Sequence, residues 1–367
     1  MPLLRRIVGL TVCWHLFIVR QSNISSRPLV TNPTKRLEQF LRSEIPGLSG
    51  DLRLEPVAGG QSNPTFFANF DNRRLVVRKK PDGPVLPSAH AVDREFRVLE
   101  ALGKVGIAVP PVLLYHEAGD VFGTSFYVME RVDGRIFHDS QLAGAPRSER
   151  FEMYRSAARM LAAIHKVDFE QAGLSTFGKH GNFFSRQIAR WTHQWHLSKS
   201  HDLPEIDRLV EWLPANLPAN DQTTVVHGDF RIGNLMFHPT EPRIVAVLDW
   251  ELSTLGHPMA DLAHSCIYSW YVTPEEYGGI LGLDFADHGL PTLSEFSRAY
   301  YEASNQSDRL EVFHIVLALF RNAVIFQGIA SRAKAGNAAS QNAAAVGKLA
   351  PIFARRAVDL IESSGQL

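Results

Sequence analysis

The chain has 367 residues, 45% hydrophobic and 21% charged, which suits two lobes or one domain with an elaborated helical half and gives no sign of disorder. Lys and Arg total 38 against 38 Asp and Glu, so the summed charge draws the chain neither to nucleic acid nor to an anionic membrane, and any anion site must be local. Cys13 and Cys266 are the only cysteines, which excludes a disulfide framework, a disulfide-linked partner and a multi-thiolate zinc site, and fits a reducing compartment.

Residues 1–30 carry Arg5, Arg6, Arg20 and Arg27, with no acidic residue before Glu38, and Ser22, Ser25 and Ser26 follow the apolar run Ile7 to Val19. That composition reads as a mitochondrial transit peptide. A secretory leader without an A-x-A cleavage site, or a plain extension, are the alternatives, and the run is short for a bilayer. The expected location is mitochondrial or cytoplasmic, with no stable membrane span.

Thr34 to Arg42 then predicts a short helix with apolar Leu37, Phe40 and Leu41, ended by IPGLSG. Residues 52–58, 65–70 and 74–78 predict short strands, separated by GGQSNP and by the turn residues Asp71 and Asn72. The stretch AHAVDREFRVLEAL places Ala91, Glu95, Val98 or Leu99, and Leu102 at helical spacing, so one carboxylate sits on an apolar face and needs a partner. Strands near 112–116 and 125–130 lead to VDGR at 132–135, where Gly134 marks a hinge. From about 148 onward helical patterns dominate, among them Phe151 to His165 and Glu311 to Ser331. TTVVHGD and RIVAVLDW read as two buried strands flanking a PTEP turn. The expected organisation is an extension over 1–30, a β-rich lobe over 31–132 and a helical lobe over 133–367.

The chemistry concentrates in residues 225–251, VVHGDFRIGNLMFHPTEPRIVAVLDWE. Asp229 ends an apolar strand and Asn234 follows five positions later, the D-x-x-x-x-N interval of a kinase catalytic loop. A carboxylate there can accept or orient the proton of an attacking hydroxyl, and an Asn carbonyl oxygen is a hard ligand for Mg²⁺. Asp249 follows the strand IVAVL, where a second metal-binding carboxylate is wanted. Phosphoryl transfer depends mainly on alignment and charge neutralisation, so the remaining requirement is a cation for the phosphates. L-V-V-R puts Arg78 at that position, on the same face as Val76, with Lys79 pointing the other way and Lys80 as a fallback. Glu95 is the natural ion-pair partner of Arg78. Gly59, Gly60, Ser62 and Asn63 lie between two strands, where small residues let backbone N–H groups approach phosphates; a plain hairpin turn is the alternative. His227 reads as structural, and Asp261 in ADLAH as a loop or helix-start anchor. His257 stays ambiguous, Pro258 marking a turn.

With these residues in place the sequence resembles the aminoglycoside phosphotransferase and choline kinase-like superfamily, whose signature joins HGD-x-x-x-x-N to a following D-W or D-F. Within residues 50–335, GGQSNPTFF, LPSAHAVDREFRVL, FYVMERVDGR, GNFFSRQIARW, VLDWELSTLGHPMADLA and FQGIASR resemble the branch found free-standing in bacteria and fused ahead of acyl-CoA dehydrogenase domains in animals. The resemblance implies an α+β, bilobal protein-kinase-like fold, with a β-rich N-lobe containing one key helix and an α-rich C-lobe. It implies ATP held at a hinge including Met129, Glu130 and Val132, Asp229 as catalytic base, Asn234 and Asp249 on Mg²⁺, and a hydroxylated acyl-CoA as acceptor. The loop reads FRIGN where relatives often have an aromatic residue and RLDN, so Gly233 stands at an acidic position.

The partner is expected to be a small molecule carrying a hydroxyl. An aminoglycoside, choline or homoserine acceptor remains open, but no dense acidic cluster between 136 and 220 suits a polycation. Trp191, Trp195, Arg186, Arg190 and His196 favour an anionic or partly apolar acceptor. Two readings from other classes are a nucleotide-binding pseudokinase scaffold, and a metal-dependent hydrolase using His227, Asp229, Asp249 and His257.

Overall fold

The structure is a computed structural model and describes residues 33–57, 63–83, 91–304, 306–334 and 343–365. The leader over 1–30 and the loop residues Gly59, Gly60 and Ser62 lie outside the described residues. The chain forms two compact units that divide between Asp133 and Gly134.

The first unit runs α1 (Pro33–Glu44), β1 (Arg53–Pro56), β2 (Thr65–Asn69), β3 (Arg74–Lys79), α2 (Val92–Lys104), β4 (Val112–His116) and β5 (Phe126–Glu130). The strands form one antiparallel sheet in the order β1-β2-β3-β5-β4. Strand alternation sends Leu75 and Val77 to one face, where they join Phe126 and Val128 in a buried cluster with Leu37 and Leu41 of α1. Burying each such side chain contributes about 1.5–3 kcal/mol, so the apolar stripe of α1 fixes it to the sheet. Val76 and Arg78 take the opposite face, paired across the strands with Met129 and Tyr127. There α2 packs on β4 and β5, with its Phe96 ring 5.8 Å from Tyr115 and 6.3 Å from Tyr127. Val92, Glu95, Val98, Leu99 and Leu102 are buried at helical spacing, so the apolar face of α2 carries one carboxylate.

The second unit opens with β6 (Arg135–Ile136) and continues through α3 (Arg147–His165), α4 (Phe183–Ser198), α5 (Pro204–Ala215), β7 (Thr224–Val226), β8 (Leu235–Phe237), β9 (Ile244–Val247) and β10 (Thr254–Gly256). It closes with α6 (Pro258–Trp270), α7 (Pro274–Tyr277), α8 (Phe285–His288), α9 (Leu293–Ser304), α10 (Val312–Lys334), α11 (Ala343–Gly347) and α12 (Leu349–Ser363). Helix α10 is the hub, packing against α4, α5, α6, α11 and α12. Among the described residues it is also the one helix apolar and long enough to cross a membrane by length and composition, and 83% of that window is buried within the protein.

The strand pairing corrects the sequence expectation. TTVVHGD and RIVAVLDW do not flank one turn: β7 pairs with β10, whereas β9 pairs with β8, a three-residue strand too short to show a period. The PTEP turn joins β8 to β9, and Asn234 and Asp249 lie just beyond the opposite, open ends of that hairpin, where Leu235 pairs with Val247. Gly134 answers to packing: a Cβ there would sit 2.4 Å from Met236 Cγ and 2.5 Å from the Phe237 carbonyl.

Candidate active site

Strand β7 delivers His227-Gly228-Asp229 into a loop held by groups from distant helices. Gly228 has φ +83°, and a Cβ would lie 2.5 Å from the Leu252 carbonyl oxygen, so glycine is required. The backbone N–H groups of His227 and Gly228 donate to Asp261 Oδ2 and Oδ1 at 2.5 and 2.8 Å. Asp261 lies in the first turn of α6 and therefore anchors the loop. Burial favours its neutral form, but His165 at 3.5 Å, His227 and the Gly228 N–H outweigh burial and lower its pKa. His227 is fully buried; its Nε2 donates to the Leu248 carbonyl at 2.9 Å and its Nδ1 accepts from the Asp229 N–H at 3.2 Å. Both ring nitrogens are thus spent on backbone, which leaves no lone pair for base chemistry.

Asp229 is 7% exposed, and donors surround its carboxylate. His264 Nε2 lies 2.8 Å from Oδ1, Asn234 Nδ2 donates to Oδ2 at 2.8 Å, and Arg231 Nε lies 3.4 Å from Oδ2. Burial alone would raise the Asp229 pKa; Arg231, His264 and His227 overcome it and hold the carboxyl well below the usual range. Burial lowers the His264 pKa, a shift that Asp229 only partly offsets. His264 is therefore a neutral Nε2–H donor, and its buried Nδ1 has no hydrogen-bond partner among the described residues. Arg231 stays charged, because Asp229, Tyr277 and Tyr268 outweigh its burial, and its guanidinium stands 5.6 Å from the Tyr268 ring centroid. A Cβ at Gly233 would meet Arg231 Nη1 at 2.6 Å, so the glycine that replaces the acidic residue leaves the space Arg231 occupies.

Asn234 ends a short 3₁₀ turn over Ile232–Asn234, and its Nδ2 also bonds the Asp229 carbonyl at 2.8 Å. With the amide nitrogen committed to Asp229, Oδ1 accepts no hydrogen bond among the described residues. The Leu248 N–H donates to the Asn234 carbonyl at 2.8 Å, which sets Asp249 one residue beyond this link. Asp249 itself has φ +66° and ψ +61°, a left-handed conformation uncommon outside glycine and found preferentially at functional positions. Half-buried Glu251, two residues on, has its pKa pushed up to about 7 by burial.

In the first unit Arg78 Nε lies 2.8 Å from Glu95 Oε2, and Glu95 is 2% exposed. Asn63 Nδ2 donates to Glu95 Oε1 at 2.5 Å, and the Tyr127 hydroxyl to Oε2 at 3.0 Å. Lys79 points the other way, 2.9 Å from Asp82 and 4.9 Å from the Phe122 ring centroid. Met129 and Glu130 end β5; Glu130 pairs with Arg73, and Val132 follows half-buried.

Other candidates fall elsewhere. His257 caps α6, its Nδ1 accepting the Met259 N–H at 3.2 Å, and Pro258 begins the helix instead of a turn. Trp195 is core, donating to Asp207 at 2.9 Å, and Arg186 bonds the Lys179 carbonyl. Among the described residues no group of three or more His, Cys, Asp or Glu side chains could hold a metal ion, which removes the support for the hydrolase reading.

The family model described as the phosphotransferase enzyme family matches residues 53–298. The chain belongs to this family. The phosphotransferase is 40% identical over 347 residues to acyl-CoA dehydrogenase family member 10 of Mus musculus, covering 92% of this chain and 32% of that protein. It therefore spans about a third of the length of that curated relative. A crystal structure from Ralstonia eutropha JMP134, described as a candidate aminoglycoside phosphotransferase, is 40% identical with TM-score 0.83, covering 90% of this chain and 98% of that one. Choline kinase from Cryptosporidium parvum Iowa II shares the fold at 15% identity and TM-score 0.62, over 90% of this chain and 97% of its own. The phosphotransferase thus has the kinase-like α+β fold that the sequence resemblance implied.

The sequence reading missed His264, Tyr268 and Arg321. His264 had one signal, its place three residues after Asp261 on a helix, which aims both at one loop. Arg321 donates from α10 to the Gly228 carbonyl at 2.9 Å across 93 positions, and nothing local announces that contact.

Proposed function

We propose that the chain transfers the terminal phosphoryl group of ATP to a hydroxyl of a small molecule, and that the acceptor is a hydroxylated acyl-CoA. The observation that carries the reading is the carboxylate of Asp229, hydrogen-bonded on both oxygens and tied by Asn234 to the strand end that presents Asp249. A carboxylate held so far below the usual range is a weak base, so its work is to accept the hydroxyl's hydrogen bond and aim its oxygen. That suits a loose phosphoryl-transfer transition state, where the proton departs late.

Asn234 Oδ1 and Asp249 would hold Mg²⁺; both are hard oxygen donors, and among the described residues Asn234 Oδ1 takes no donor. The ion would supply neutralisation of charge on the phosphates. Arg78, fixed by Glu95, would bind phosphate oxygens, and Asn63 steadies the same pair. Met129, Glu130 and Val132 would border the adenine. Gly59, Gly60 and Ser62 would offer backbone N–H groups to the phosphates. The acyl-CoA acceptor is supported by the name of the mouse relative, acyl-CoA dehydrogenase family member 10, and by Arg231 and Arg321 at the catalytic loop. An aminoglycoside, choline or homoserine acceptor is the second reading, carried by the fold shared with choline kinase.

The test is an ATP-consumption screen with hydroxyacyl-CoAs, choline, homoserine and other amino alcohols, and aminoglycosides, run with Asp229→Ala alongside. Turnover of a hydroxyacyl-CoA that disappears in the variant is the expected result. Turnover of a cationic acceptor alone would overturn the acceptor assignment. ATP binding without turnover of any acceptor would turn the reading toward a pseudokinase scaffold.

A further inference from the structure

Two arginines share one indole beside the catalytic loop. Arg190 stands 5.2 Å and Arg321 5.7 Å from the Trp191 ring centroid, Arg190 and Trp191 on α4 and Arg321 on α10. Among the described residues neither Arg190 nor Arg321 has a carboxylate within ion-pair distance. The two cations oppose each other: burial and then Arg321 lower the Arg190 pKa. Arg321 uses Nη2 on the Gly228 carbonyl, and its buried Nε has no hydrogen-bond partner among the described residues. Arg321 is half-buried and its Nε gives up water for no counter-charge, and the second cation beside the same ring adds a repulsion that an anion would relieve. The indole face recovers part of that cost by cation–π attraction and fixes both guanidinium planes. Trp191 is 3% exposed, so it serves as a floor for these groups and not as a free stacking surface.

We infer that Arg190 and Arg321, carried on Trp191, form an anion-recognition subsite for the acceptor, one residue from Asp229 through the Gly228 carbonyl. This deepens the proposed reaction and rests on it: the acceptor carries an anionic group as well as the hydroxyl that Asp229 receives. A guanidinium fork binds phosphate or carboxylate, so the anion is either a phosphate of a coenzyme A tail or the carboxylate of a free hydroxy acid. A polycationic acceptor is disfavoured by the same pair.

The experiment compares Arg190→Gln and Arg190→Lys with the unaltered protein, since Arg190 is exposed and touches no catalytic-loop atom. Acceptors are a hydroxyacyl-CoA, the same hydroxyacyl chain on pantetheine without phosphates, and the free hydroxy acid. In Arg190→Gln the KM for the anionic acceptor rises about tenfold or more with kcat nearly kept, and Arg190→Lys recovers part of the loss. An effect on the CoA ester that is absent with the pantetheine ester assigns the anion to the phosphates, and an effect on the hydroxy acid assigns it to the carboxylate. An equal rise for all three acceptors, or no rise for any, overturns the subsite. Calorimetric titration of both proteins with coenzyme A and with the hydroxy acid reads anion binding without turnover. Anion binding lost in Arg190→Gln in a protein that phosphorylates nothing would sink the reaction and leave the subsite standing. No weakening in a protein that does turn over would do the reverse.

Discussion

His264 Nε2 lies 2.8 Å from Asp229 Oδ1, across 35 positions of sequence. Burial keeps this histidine neutral, so it gives the carboxylate a hydrogen bond without a full charge. Together with Arg231, the largest opposing influence, and His227, it holds the Asp229 carboxyl well below the usual carboxylate range against burial, while Asn234 bonds the other oxygen.

The acid limb of the rate profile should reflect that. A depressed carboxylate stays ionised as pH falls, so loss of activity through Asp229 is expected only well below pH 3.8. Replacing His264 with Ala removes a donor and raises the Asp229 pKa, moving the acid limb of kcat up by about one unit. His264→Gln keeps a donor amide and should move it less. A limb unmoved in both variants would show that His264 does not set the ionisation of Asp229.

Asp229→Asn tests the role of the carboxylate itself. The carboxamide cannot accept from His264, Asn234 and Arg231 together, and it cannot receive the substrate hydroxyl as an anion. We expect kcat to fall about 10²- to 10⁴-fold, with nucleotide affinity by calorimetry changed less than about twofold. Comparable losses in both would mean that the substitution disturbs the fold instead.

Arg78 and Glu95 should be coupled. Arg78→Ala leaves Glu95, 2% exposed, with only the neutral donors Asn63 and Tyr127 among the contacts described above. Removing one partner of a buried pair costs about 3–5 kcal/mol, measured as a lower midpoint in chemical denaturation. Adding Glu95→Gln should recover a good part of that stability but none of the nucleotide binding. Strictly additive stability losses across the double-mutant cycle would contradict the coupling.

His257 makes stability depend on pH in a second window. Burial lowers its pKa from 6.5 to about 4, with Asp308 and Asp221 opposing and His165 assisting. The native form is therefore neutral while the unfolded form takes a proton between those values, so its contribution is complete above pH 6.5 and is lost as pH falls toward about 4. At about 1.4 kcal/mol per unit the shift from 6.5 to about 4 corresponds to at most about 3 kcal/mol. His257→Asn keeps an acceptor for the Met259 N–H that caps α6 and removes the titration, so its stability should vary less between pH 6.5 and 4. An unchanged slope would exclude His257 as the source.

The geometry around several candidate residues could be read along the chain because these residues are local to strand ends and one helix face. Arg78 and Val76 share a face through the two-residue strand period, and Glu95 is the one carboxylate in the buried stripe of α2. Asp229 and Asn234 keep their interval because one tight loop holds both. The β8 strand was not legible, since three residues cannot display a period, and the pairing of β9 was misjudged with it. Gly134 was read as the hinge, and the two units divide beside it, but the atoms that require a glycine there belong to Met236 and Phe237 and could not be read locally.

The sequence by itself therefore determined the kinase-like fold and proposed Arg78, Glu95, Asp229, Asn234 and Asp249 as site residues, because these readings depend on spacing within single strands, helices and turns. Only the tertiary structure decided what surrounds Asp229. Asp261, His264 and Arg321 reach the loop from 34, 35 and 93 positions away, on helices whose orientation is fixed by packing around α10. A hydrogen bond depends on where a side chain arrives in space, and over such separations the buried core, not the local pattern, sets that position.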